Sequence, residues 1–160
     1  MGFAKAQETS TNSLANWERA KAYTKEYLDA MPDAGYALKP TPEMRSFADQ
    51  MLHLADANYA FASAAVSEES PNGKGSLEKS TDKSKANVTK LVLASYDYVL
   101  QSLKKLTPTQ LNENIKMFDQ FQMRRSTAFE KDFEHQTHHR GQTTVYLRLA
   151  GAKPPQEKLF

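Results

Sequence analysis

His135-Gln136-Thr137-His138-His139-Arg140-Gly141-Gln142 lies inside a segment that reads as one uninterrupted helix. Thr127-x-x-Glu130 has the form of a capping box, in which a threonine hydroxyl and a glutamate carboxylate satisfy backbone N–H groups of a first turn. Gly151, with Pro154 and Pro155 behind it, supplies the stop. These signals predict a helix over 128–150. Three of the four histidines of the chain fall within five of its residues, so the segment that sets the architecture also carries the chemistry.

Working outward, Leu14, Trp17, Tyr23, Tyr27, Leu28 and Met31 recur at the spacings of an amphipathic helix, which Pro32 ends. Thr41-Pro42-Glu43 reads as an N-cap, a first-turn proline and a first-turn acid, opening a helix over 42–66 with Met44, Phe47, Met51, Ala55, Ala62 and Val66 on its apolar side. Residues 67–84, with Pro71, Gly73, Gly75 and several serines, have the composition of a mobile loop. Val88, Leu91, Val92, Val99 and Leu103 mark a helix over 85–105, and Thr107-Pro108 starts a short one through Ile115. Four long helices without a convincing strand pattern predict an all-α four-helix bundle in one domain, 1–160, with residues 1–10 as a disordered tail. The 67–84 loop can stretch roughly 60 Å, against about 37 Å for the preceding helix. The chain can therefore return along the bundle and leave the second and third helices parallel.

Composition narrows the function classes. Hydrophobic residues make up 39% and charged residues 25%, as in a globular protein, and no apolar run approaches the ~18 residues of a membrane span. A net charge of +2, with lysines interspersed among acids, argues against nucleic acid as a partner. The absence of cysteine removes disulfides, thiolate ligands and a cysteine nucleophile, so any metal must bind through histidine or carboxylate. A cytoplasmic location is expected. Ala4-Lys5-Ala6 matches the A-x-A end of a signal peptide, and export is the alternative that it raises.

The histidine spacing points to a metal site. Residues four apart on a helix share a face, so His135 and His139 can direct their imidazoles at one ion, whereas His138 points about 100° away from His139. Counted from Thr41 and Thr127, His53, His135 and His139 all lie roughly 12–18 Å into their helices, which makes His53 the third ligand. Asp49, Asp56 and Gln142 share the ligand faces and are expected to orient the rings, with His138 and Tyr146 as further candidates for that role or for substrate contact. Gln136 stands where an H-E-x-x-H metalloprotease needs its glutamate base, which excludes that class.

His135-Gln136-Thr137-His138-His139-Arg140-Gly141-Gln142, continued by Val145-Tyr146-Leu147-Arg148, resembles the closing helix of the DinB/YfiT-like family. Lys39-Pro40-x-Pro42-Glu43-x-Arg45-Ser46-Phe47, leading to Met51-Leu52-His53-Leu54-Ala55, is similar to its second helix and approach. The resemblance covers nearly the whole chain. It implies an up-down-down-up bundle, a metal, zinc or nickel, held by His53, His135 and His139, and a homodimer. It also implies, for some members, transferase or isomerase activity with a low-molecular-weight thiol such as bacillithiol, mycothiol or glutathione.

An ion on three neutral imidazoles keeps an open position of catalytic type. It can acidify water for hydrolysis, polarise a carbonyl or hold a thiolate against an electrophile. The expected function is a metal-dependent thiol transferase or hydrolase acting on a small molecule. The alternative is a non-catalytic metal-binding bundle with a structural or dimer-interaction role. Arg140, Tyr146 and Arg148 are candidates for holding an anionic substrate, and the 67–84 loop for covering the site.

Overall fold

A computed structural model describes residues 2–160, with side chains from Asn12 onward. Residues 2–10, expected as part of a disordered tail, are described as backbone of the first helix, and their side chains, those of Ala4-Lys5-Ala6 included, lie outside the described residues. Four long helices dominate: α1 (Gly2–Ala30), α2 (Phe47–Val66), α3 (Lys85–Lys105) and α5 (Arg125–Leu149), with a single turn, α4 (Pro108–Leu111), before the last. A short 3-10 helix, Asp33–Ala37, follows α1.

Contacts between the helices fix their directions. Asn58 bonds Ser95 and Ser63 bonds Tyr98, so α2 and α3 run parallel, as the loop length permits. Phe47 meets Tyr146 while Arg125 reaches Ala65 O, so α2 and α5 are antiparallel. Trp17 against Phe133 and Tyr27 against Thr144 make α1 parallel to α5, which completes an up-down-down-up order. Trp17, Leu28, Phe47, Met51, Leu52, Val92, Tyr96 and Leu147 form the buried centre. No described helix is long and apolar enough to cross a membrane.

The helix starts differ from those expected. Residues 41–45 are all exposed, so a helix there would order backbone without burying an apolar face. Instead α2 begins at Phe47, behind a capping box in which Ser46 Oγ accepts from Asp49 N at 3.1 Å and the Asp49 carboxylate accepts from Ser46 N at 3.3 Å. Similarly, α5 starts at Arg125 rather than after Thr127, because a β-hairpin feeds directly into it and Glu113 O accepts the Arg125 N–H at 3.0 Å. The range expected for α3 is the one observed, with Ser84 as its cap.

The hairpin itself, β1 (Asn114–Met117) and β2 (Phe121–Arg124), overturns the expectation of no strands and of a helix through Ile115. Its turn holds Phe118 and Asp119 at φ of 50° and 59°. Three residues, 118–120, join the paired Met117 and Phe121, and two successive positive φ values are a conformation that Asn and Gly favour, so Phe-Asp gave no signal.

The segment 67–84 is also more built than its composition suggests. Ser67 ends α2 in a left-handed conformation, and Leu77 is buried in the core. Asp56, projecting from α2, accepts the Leu77 and Glu78 N–H groups at 3.1 and 2.9 Å. Lys83 pairs with Asp49 one turn before His53. Asp49, His53 and Asp56 form one stripe of α2, and the loop is moored along it.

Candidate metal centre

The antiparallel stagger of α2 and α5 brings His53, His135 and His139 together. One ring nitrogen from each lies within 4.8 Å of the other two, and the ring centroids are 4.2–5.4 Å apart. Phe61 closes one side, 6.0 Å from His135. The depth argument that selected His53 counted from the wrong helix start. Measured from Ser46, His53 lies in the second turn of α2, opposite the middle of α5, so the stagger of the pair sets the meeting and not equal depth.

Each ring has its own surroundings. His53 Nδ1–H donates to Glu78 Oε2 at 3.2 Å, and Arg45 Nε donates to the other oxygen of that carboxylate at 2.6 Å. Burial pushes the Glu78 carboxyl up, but the bond and charge of Arg45, then His53, outweigh it and hold the group below its ordinary value. The Gln50 amide lies 2.8 Å from His139 Nδ1 and is hydrogen-bonded to Gln142, whose amide reaches His138 Nε2 at 2.8 Å. The Gln50 atom facing the ring is the amide nitrogen, so in this arrangement its N–H donates and His139 Nδ1 accepts. His135 Nδ1 is buried with no partner among the described residues.

These environments keep imidazoles neutral. Burial, followed by the nearby charges of His53, His138 and Arg45, lowers His135 to about 4. Burial again leads for His139, with His135, His53, His138 and Arg45 adding, and lowers it to about 3. Three imidazole nitrogens within 4.8 Å of one another, with no fourth His, Cys, Asp or Glu in the group among the described residues, make a donor set that fits a divalent ion with part of its sphere open. Beside it a cavity of about 510 Å³ is lined by Met44, Arg45, Gln50, Glu78, Gln142 and Tyr146.

The other candidates are distributed unevenly. Gln142 acts on His139 only through Gln50, and His138 is exposed at the end of that chain. Asp49 and Asp56 turn to the loop rather than to the imidazoles, because backbone N–H groups and Lys83 satisfy them first. Tyr146 is buried, its hydroxyl donating to Arg45 O at 2.9 Å. Arg140 faces inward, 4.5 Å over the Tyr23 ring and bonded to Gln136, so it is not an anion-binding group at the cavity. Arg148 is exposed and does not line the cavity. Two residues at the site carried no sequence assignment of their own: Glu78 lay in the apparent loop, and Arg45 was read only as part of a motif. Gln50 was visible on the ligand face, one turn before His53.

A sequence model of the DinB family matches residues 5–159. The crystal structure of a DinB-like protein from Bacillus cereus ATCC 10987 is similar with a TM-score of 0.80 at 21% identity, over 91% of this chain and 95% of that one. A DinB-like protein from Bacillus subtilis gives a TM-score of 0.71 at 20% identity, over 93% of this chain and 96% of that one. At these identities the likeness speaks to the fold. No curated protein matches. The family match runs through all four long helices and both halves of the histidine cluster, and the chain belongs to the DinB family.

Proposed function

We propose that this chain is a metal-dependent enzyme acting on a small molecule, with one divalent ion, zinc or nickel, held by His53, His135 and His139. The observation that carries this reading is the convergence of three imidazole nitrogens within 4.8 Å beside a polar cavity, with no fourth ligand to close the site. A purely structural ion would be expected to have its sphere filled by protein. When bound there, the ion supplies Lewis acidity, which lowers the pKa of a coordinated water or thiol.

The chain's own residues prepare that chemistry. Burial strips His135 and His139 of their protons, while Glu78, anchored by Arg45, accepts the His53 Nδ1–H and aims the opposite nitrogen inward. The Gln50 amide nitrogen, against His139 Nδ1 at 2.8 Å, holds that ring in place. Arg45, Gln50 and Gln142 offer hydrogen bonds to a polar substrate in the cavity, and Tyr146 forms part of its wall. The chain has no cysteine, so in a thiol transfer the sulfur must arrive on a low-molecular-weight thiol. Hydrolysis of a small electrophile uses the same site, and homodimer assembly belongs to the same family-based proposal.

Protein purified without a His tag is expected to carry about one ion per chain by elemental analysis, with the ion lost in His53→Ala and His135→Ala. Unchanged metal content in both variants rejects the site. With metal-loaded protein, turnover in a panel of electrophiles and thiols that disappears in His139→Ala supports an enzyme. Failure across the panel leaves a metal-binding bundle without this catalysis.

A further inference from the structure

Two of the three histidines have Nδ1 in contact with a polar group: Glu78 at His53 and Gln50 at His139. The third does not. His135 Nδ1 is buried and unpartnered, and so, one turn earlier on the same helix, are both oxygens of Asp132, whose residue is fully buried. Residues three apart on a helix have Cβ atoms about 5–6 Å apart. The other buried unpartnered side-chain atoms among the described residues are Asn58 Oδ1, Ser70 Oγ and Ser102 Oγ. Ser70 belongs to the loop after α2 and Ser102 to α3, and the Asn58 amide is tied to Ser95 of α3 at 3.0 Å. Asp132 alone shares His135's helix.

The geometry points to Asp132 as the positioning residue of His135: its carboxyl accepts the Nδ1–H, directly or through one buried water, and leaves Nε2 for the ion. This rests on the metal reading above. A single water suffices, since Nδ1–H and two carboxyl oxygens give it the polar partners that a buried water needs. Each ligand then has a different outer partner: a carboxylate delivered by a loop, an amide one turn away on α2, and a carboxyl from α5 itself. Such partners fix the ring and its tautomer, and their loss typically lowers metal affinity roughly 10- to 100-fold. Burial with no partner holds the Asp132 carboxyl well above the ordinary carboxylate range, the state expected of a group waiting for a donor.

The test is the Zn²⁺ affinity of untagged protein, measured by competition with a chromophoric chelator, in the wild type, Asp132→Leu and Asp132→Asn. The leucine variant removes the acceptor and is expected to bind roughly 10- to 100-fold more weakly. The asparagine variant keeps an acceptor oxygen of the same shape and is expected to stay close to wild type. In ¹⁵N-imidazole spectra of the zinc-loaded wild type, His135 should carry its proton on Nδ1, slow to exchange, with Nε2 on the metal. Should Asp132→Leu not fold, the wild-type spectrum and the asparagine variant decide. Wild-type affinity in a folded Asp132→Leu, or His135 bound to zinc through Nδ1, overturns the assignment while leaving the metal site standing. A wild type that binds no zinc removes both.

Discussion

An imidazole ligates only through an unprotonated nitrogen, and folding alone prepares two of the three rings here. Burial, the largest cause in both cases, brings His135 to about 4 and His139 to about 3, from an ordinary value near 6.5. The unfolded chain therefore takes up protons at these two positions well before the folded chain does. Between the ordinary histidine range and about 3 the unfolded state binds more protons, so stability is lost as pH falls through that window. Glu78, held low, acts in the same direction at more acid pH, whereas Asp132, held high, contributes stability at acid pH that is lost as pH rises. The metal-free wild type should lose urea resistance more steeply on acidification from about pH 7 to about pH 4 than the His135→Ala/His139→Ala variant does. Parallel pH profiles would contradict the assignment of these two rings as neutral.

At the scale of elements, what matters is which local signals the rest of the chain lets stand. Thr107 capped its helix as expected, whereas Thr41 and Thr127 did not, although all three have the right residue types. Exposure of 41–45 gave a helix nothing to bury, and the hairpin took over the first turn of α5. The 67–84 segment shows the opposite case, in which a loop without periodicity is ordered by one carboxylate. Asp56 receives two successive backbone N–H groups, and the residue that follows from this anchoring is Glu78, the partner of His53. Asp56→Ala is expected to cost about 1.5–3 kcal/mol, the range for hydrogen bonds to a charged group. It should also weaken zinc binding and speed proteolysis within 67–84. Wild-type affinity and protease resistance in that variant would mean that the loop holds Glu78 by other means.

Across the whole molecule a polar chain crosses the apolar interior. Thr24 of α1 meets the Tyr96 hydroxyl of α3 at 2.8 Å, Tyr96 donates to Gln136 of α5 at 2.8 Å, and Arg140 donates to the same Gln136 oxygen at 3.1 Å. Three helices are thereby held in one register, and α5 is fixed with its histidines turned toward α2. Tyr96 is fully buried, so its phenol has no water to fall back on. Tyr96→Phe leaves Thr24 and Gln136 short of a partner and is expected to destabilise by about 1–3 kcal/mol in urea unfolding, with the fold retained. A change near zero would show that the apolar packing of Trp17 and its neighbours sets the register without this chain.

By itself the sequence determined the helix count, the parallel return allowed by a long connection, and the three histidines with His139 preferred over His138. These follow from the 3.6-residue period and from residue chemistry, both of which are local. The hairpin was not legible because Phe118-Asp119 is an unusual pair for its turn, held at positive φ with Phe118 against Phe61. Nor were the partners of the histidines. Glu78 and Asp132 carry no pattern of their own: the first reaches the site because Asp56 moors a loop, and the second is singled out only because burial leaves its oxygens without partners. Ligand identity is a matter of residue type and spacing. Ring orientation, protonation and the open cavity depend on desolvation and on contacts between distant segments, and only the tertiary structure decides those.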